Sequence, residues 1–101
     1  MSKDKGPDIK IIKELIYEAS LEAAASVDGV HRVLDIKTDP DTDKGTCEVD
    51  VFIEVTYGCK IPAVSWDVQS AVKAGVRTAS QYDANKIDIH IQGVGKGKSE
   101  E

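Results

Sequence analysis

Few residues in this chain are spaced to do chemistry, and each candidate can be judged on what its chemistry requires. The closing run GVGKGKSEE, residues 93 to 101, raises the question of a phosphate-binding loop. Such a loop needs Gly, four intervening residues, then Gly-Lys-Ser/Thr opening a helix, so that backbone N–H groups cradle the phosphates and the Lys reaches between them. Counting back from Gly97-Lys98-Ser99 puts Gln92 where the first Gly belongs, and only two glutamates follow. The run DPDTDKG sets Asp39, Asp41 and Asp43 two apart, as a calcium loop would. An EF-hand, however, wants Gly at the sixth position, where Lys44 stands, and a bidentate Glu at the twelfth, where Asp50 stands. A solvated turn of turn-forming residues is the expectation there. Cys59 precedes Pro62 at a helix start, where the dipole would lower its pKa, yet no base stands close in sequence. It reads as a loop thiol and Cys47 as a small core residue. His31 and His90 fall on strands near Asp and Glu, but nothing specifies the ligand count and geometry of a metal site. No catalytic constellation, cofactor motif or metal site is expected.

The elements that carry these residues follow from periodicity. At 101 residues the chain is one domain, long enough to bury about 65% of its unfolded surface in a single core. Ile9, Ile12, Ile16, Ala19, Ala23 and Val27 recur at helical spacing from Pro7, suited to a first helical position, to Asp28-Gly29. His31 to Lys37 reads as a short strand. Thr46 to Tyr57 alternates, with Cys47, Val49, Val51, Ile53 and Val55 on one face. A second helix opens at Ile61-Pro62 and carries an apolar stripe of Val64, Val68, Ala71, Val72, Gly75 and Ala79. Gly75 in mid-helix costs about 1 kcal/mol against Ala, which a close packing contact would explain. Lys86 to Val94 alternates again. Residues 9 to 94 are thus the folded domain, and 1–8 and 95–101 read as flexible polar tails.

The order α-β-β-α-β makes the first two strands a hairpin and the second and third parallel, joined by a right-handed crossover. The expected fold is a two-layer α+β domain, a three-stranded mixed sheet with both helices on one face. Its open face would carry Glu48, Asp50, Phe52, Glu54, Asp88, His90 and Gln92 and be acidic.

Charge and hydropathy narrow the function classes. A net charge of −5 disfavours nonspecific attraction to nucleic acid or anionic lipid. The stretch Ile9 to Val27 carries Lys10, Lys13, Glu14, Glu18 and Glu22, which a membrane-spanning helix would not tolerate, so no direct membrane insertion is expected. The N-terminus has no apolar h-region of a signal peptide, and two cysteines suit a reducing, cytoplasmic compartment. Two positions break the expected burial pattern. Trp66 falls opposite the stripe of helix 2, on a face with Ser70, Lys73 and Arg77, and Tyr17 and Leu21 form an i, i+4 pair away from the stripe of helix 1. An exposed Trp beside two cations on an acidic protein is a candidate anchor for a partner or a second copy.

The run VTYGCKIPAVSWDVQSAV resembles the signature of the alkaline shock protein family, the Gls-type envelope stress response proteins of mainly Gram-positive bacteria. The matching positions are Tyr57, Gly58, Ile61, Pro62, Val64, Val68, Gln69 and Val72, with Val27, Gly29 and Val30 after helix 1 and Gly93-Val94 closing the last strand. Trp66 stands where relatives usually carry a charged or small residue, and Asn85 where a Gly is frequent. The resemblance implies a non-enzymatic cytoplasmic domain serving envelope homeostasis. It also implies that the domain works through self-association as a homo-oligomer, or through a small membrane-embedded anchor protein holding it at the inner face of the membrane. Some relatives are linked to fatty-acid metabolism instead. The alternative is a KH-like nucleic-acid-binding module, which the order of elements also resembles. A KH domain clamps nucleotides with a GXXG loop, however, and none occurs in residues 58 to 86. A small enzyme would require a cleft with perturbed titratable groups.

Overall fold

The computed structural model describes residues 8–95. Helix α1 spans Ile9–Ala25. Asp8, in extended conformation, is its N-cap and accepts from the Lys10 N–H at 2.9 Å, satisfying one of the donors that a helix start leaves open. Asp8 is therefore a structural residue rather than the end of a tail, while the other residues of the expected N-terminal tail, Pro7 among them, lie outside the described residues. The remaining elements are strand β1 (Val30–Asp41), strand β2 (Thr46–Thr56), helix α2 (Ile61–Ser80) and strand β3 (Asp83–Gly95). The sheet order is β1-β2-β3, with β1 antiparallel and β3 parallel to the central β2. This is the two-layer α+β arrangement that the periodicity predicts, with α1 over β1 and α2 over β3.

The core is built on β2, where Cys47, Val49, Val51, Ile53 and Val55 are all buried against Ile12, Ile16 and Ala24 of α1 and Val64, Val68, Val72 and Val76 of α2. Burying each Val or Ile side chain contributes about 1.5–3 kcal/mol. The helix stripes differ in detail from the expected ones. Ile9, in the first turn, is exposed, and the line Ile12, Ile16, Ser20, Ala24 faces the sheet instead. Ser20 is fully buried, and its Oγ finds no hydrogen-bond partner among the described residues. On α2, Val76 is buried while Ala79 is exposed. Gly75 meets α1 as its mid-helix position suggests: an added Cβ would lie 3.4 Å from both the Ala19 carbonyl oxygen and the Ala23 Cβ.

The turn into β1 depends on a second glycine. Gly29 has φ +97°, and the Val64 methyl group fills the place where a Cβ would point. Its carbonyl accepts from the Thr56 N–H at 2.7 Å, which ties the end of β2 to the same corner.

Both edge strands are longer than the alternation suggests. In each, β2 pairing skips two residues: His31 and Leu34 in β1, and Asn85 and Gln92 in β3. These bulges set the inward residues Val33 and Ile36, and likewise Ala84 and Ile87, three apart instead of two. The hairpin turn is correspondingly short. The Asp41 Oδ1 accepts from the N–H groups of Asp43 at 3.0 Å and Lys44 at 3.2 Å, and Gly45, at φ +67°, returns its N–H to the Asp41 carbonyl at 2.9 Å. Asp41 is thus spent on its own turn. Gly95, expected to begin the C-terminal tail, is the buried last residue of β3, with its carbonyl accepting from the Tyr57 N–H at 2.9 Å. The His31 ring packs so close to its Cα that no Cβ would fit. Residues 96–101 lie outside the described residues.

Candidate interaction site

Packing of Val64, Val68, Val72 and Val76 fixes the rotation of α2 about its axis. The opposite flank then presents Trp66, Ser70, Lys73 and Arg77 at i, i+4, i+7 and i+11. Trp66 is 68% exposed. Beside it lies a shallow hollow of about 240 Å³ between α2 and the start of β3, lined by Trp66, Gln69, Ser70, Lys73, Ala84 and Asn85 among others. Polar contacts anchor this flank to β3. Gln69 donates through Nε2 to the Ile87 carbonyl at 2.9 Å. Lys73 Nζ donates to Asp83 Oδ1 at 2.7 Å and to the Ala84 carbonyl at 3.4 Å. That hydrogen bond from Lys73 holds the Asp83 carboxyl below the usual carboxylate range. Arg77 donates to the Gln81 carbonyl at 3.1 Å, where Gln81 ends the helix in left-handed conformation at φ 68°. The indole therefore stands on a braced surface rather than on a loop.

The other two sequence candidates do not join it. Tyr17 is half-exposed beside Lys13 and Glu14 of its own helix and Ile36, Lys37 and Thr38 of β1. Leu21 is half-buried and packed against the core rather than turned away from it. The physical reason is placement: α1 covers β1 and α2 covers β3, so the two outer flanks lie at opposite edges of the sheet.

The open sheet face is less acidic than β2 and β3 alone suggest. Register brings Arg32 beside Glu54, Lys37 beside Asp50 and Lys86 beside Glu48. Arg32 Nε donates to Glu54 Oε1 at 2.9 Å, which holds the Glu54 carboxyl below its usual range and raises the Arg32 guanidinium. At the centre, the Phe52 ring stacks on His90 with centroids 4.4 Å apart and 11° between planes, and Lys37 Nζ lies 5.5 Å from the Phe52 centroid. His90 Nε2 and Asp50 Oδ1 are 3.0 Å apart. Two side-chain pairs, Arg32–Glu54 and His90–Asp50, thus cross this face.

Neither thiol is set up as a nucleophile. Cys47 is buried, and burial above all pushes its pKa up to about 11. Cys59 is half-buried and packs against the core. No cluster of His, Cys, Asp or Glu able to hold a metal ion occurs among the described residues.

A second surface, not singled out by sequence spacing, is the outer groove between α1 and α2, of about 580 Å³. Ala19, Ala23 and Gly75 floor it, Leu15 stands at one end, and Glu18 and Glu22 rim it. Small residues on both helices are its only signal in the sequence, because their role as a floor depends on which faces meet.

Comparison with known proteins places the chain. It is similar to the protein Spy1535 of Streptococcus pyogenes serotype M6, with 29% identity over 52 residues, 52% of this chain and 40% of that protein. The chain thus spans well under half the length of this relative. Among solved structures it is similar to the MamM CTD in its copper form, with 19% identity, a TM-score of 0.66, and coverage of 87% of this chain and 92% of that one. A nickel form of a variant of the same domain gives 18% identity, a TM-score of 0.56, and 79% and 96% coverage. At such identities these neighbours speak for the fold alone. No helix among the described residues is long and apolar enough to cross a membrane. Residues 35–96 match the alkaline shock protein family ASP23, described by a cell envelope-related function, and the chain belongs to that family.

Proposed function

We propose that this domain is a non-enzymatic interaction module of the cell envelope, engaging protein through the α2 flank of Trp66, Ser70, Lys73 and Arg77. The observation that carries the reading is Trp66, 68% exposed on a surface braced to β3 by Gln69 and Lys73. A large rigid aromatic held in water on a fixed platform, with cations beside it, has the composition of an interface anchor. The family's envelope-related role supplies the setting. The partner is a second copy of the chain or a small membrane-embedded protein, and the latter would hold the domain at the inner face of the cell membrane.

The test is affinity capture from the native host with membranes retained, comparing the wild-type chain with Trp66→Lys. Protein partners should be recovered with the wild type and lost with the variant. Recovery of only RNA and ribosomal proteins, or an unchanged partner set with Trp66→Lys, would overturn the proposal.

A further inference from the structure

We infer that the α1–α2 groove receives the Trp66 flank of a second copy, so that chains join head to tail. This rests on the reading of that flank as an interaction face and names its occupant. The two surfaces match in spacing. Trp66, Ser70, Lys73 and Arg77 lie at i, i+4, i+7 and i+11, and so do Leu15, Ala19, Glu22 and Ser26, all four of which line the groove. Laying α2 of one copy parallel to α1 of the next sets the indole on Leu15, the Ser70 hydroxyl on the small Ala19 and the Lys73 ammonium against Glu22. Arg77 then reaches Ser26, the C-cap of α1, where the last helical carbonyls carry partial negative charge.

The surfaces also match in charge. Among the described residues the groove lining holds the carboxylates of Glu18 and Glu22 and no cation, whereas the flank holds Lys73 and Arg77. Two copies of a chain with net charge −5 repel at long range, so a contact between them needs local complementarity of this kind. Lys73 can keep its pair with Asp83 in this contact, because its side chain is 57% exposed and leaves the ammonium open to a second carboxylate. Groove and flank lie on different faces of α2, so each copy can use both at once. The contact is heterologous and propagates unless its rotation closes a ring.

Sedimentation velocity of the full chain over a range of concentrations and salt tests this. The wild type should show mass rising with concentration and falling with salt. Glu22→Lys and Lys73→Glu should each weaken self-association about tenfold or more, because each sets like charges together. Mixing the two variants should restore it, since every contact between unlike variants again joins opposite charges. Both positions are exposed, and a circular dichroism melt will confirm that each variant folds. A wild type that stays monomeric, variants that assemble undiminished, or a mixture that fails to recover would each overturn the inference. A monomeric wild type that still loses a captured partner on Trp66→Lys would refute the head-to-tail contact and leave the interaction module standing.

Discussion

Replacement of Gly29 by Ala should be among the most damaging single-methyl additions in this domain, and two effects set its size. The first is conformational: at φ +97° an L-residue is strained, at about 1–2 kcal/mol. The second is steric, because the new Cβ would run into the Val64 methyl group, and Val64 is itself buried. Inserting a methyl into a packed site costs about 1–3 kcal/mol. Together they give about 3 kcal/mol, a large part of the roughly 5–15 kcal/mol that stabilises a domain. Gly58 supplies the control, since its φ of +87° is nearly the same but nothing among the described residues lies within 4 Å of where its Cβ would go. Gly58→Ala should therefore show the conformational cost alone, about 1–2 kcal/mol. Urea unfolding followed by circular dichroism measures both, with an unchanged m value showing that the unfolded state is not what moved. A second arm places Gly29→Ala on a Val64→Ala background, where the clash is gone and the penalty should fall toward that of Gly58→Ala. If Gly29→Ala and Gly58→Ala differ by less than about 0.5 kcal/mol, the corner yields freely and the packing argument is wrong.

Four further outcomes are expected. Gly75→Ala should change stability by less than about 1 kcal/mol, because the helix-propensity gain offsets a contact of 3.4 Å, whereas Gly75→Leu should push the helices apart and lower the melting temperature. Ser20→Ala should stabilise by about 1 kcal/mol in the same urea assay, since it removes a buried hydroxyl without a hydrogen-bond partner. Glu54 and Asp83 have carboxyls held below their usual range, so the stability they contribute is complete above the ordinary carboxylate pKa of about 4 and lost as pH falls. Glu54→Gln and Asp83→Asn should each flatten the acid limb of a stability profile, and an unchanged limb would refute the assignment. For Cys47 the sign reverses: its folded pKa is raised to about 11, so stability is full below the ordinary thiol value of about 8.5 and declines as pH rises toward the folded one. In native protein a thiol reagent should modify Cys59 and spare Cys47; equal rates would contradict the burial.

Much of this architecture was legible because β2 is central. A strand buried on one face over its whole length must alternate strictly, and Cys47 to Val55 does so. The two helices were legible for the related reason that each has one apolar side, and Gly75 announced the contact it makes. The edge strands look short in the sequence because their bulges interrupt the period of two at His31, Leu34, Asn85 and Gln92. A pattern of three-residue steps such as Val30, Val33, Ile36 is the trace such bulges leave. Ser20 at the centre of α1 went unread because a lone hydroxyl carries no hydrophobic signal, although the i, i+4 line from Ile12 to Ala24 runs through it. The exposure of Trp66 followed from its place on the helix, whereas the grouping of Tyr17 and Leu21 with a partner face required knowing which helix covers which strand. The balance of charge on the open face was hidden likewise, since Arg32 and Lys37 reach it only through the register of β1.

The four bulges have a consequence for how this domain can associate. All of them fall on the two strands that have only one neighbour, and β1 adds Pro40, which has no N–H to offer. An incoming strand would meet a broken ladder on either side. Growth by backbone pairing, which is close to irreversible once it begins, is thereby discouraged. The bulges do not obstruct association through side chains on the helical layer, as in the head-to-tail contact proposed above, and the strength of such a contact would follow charge and salt.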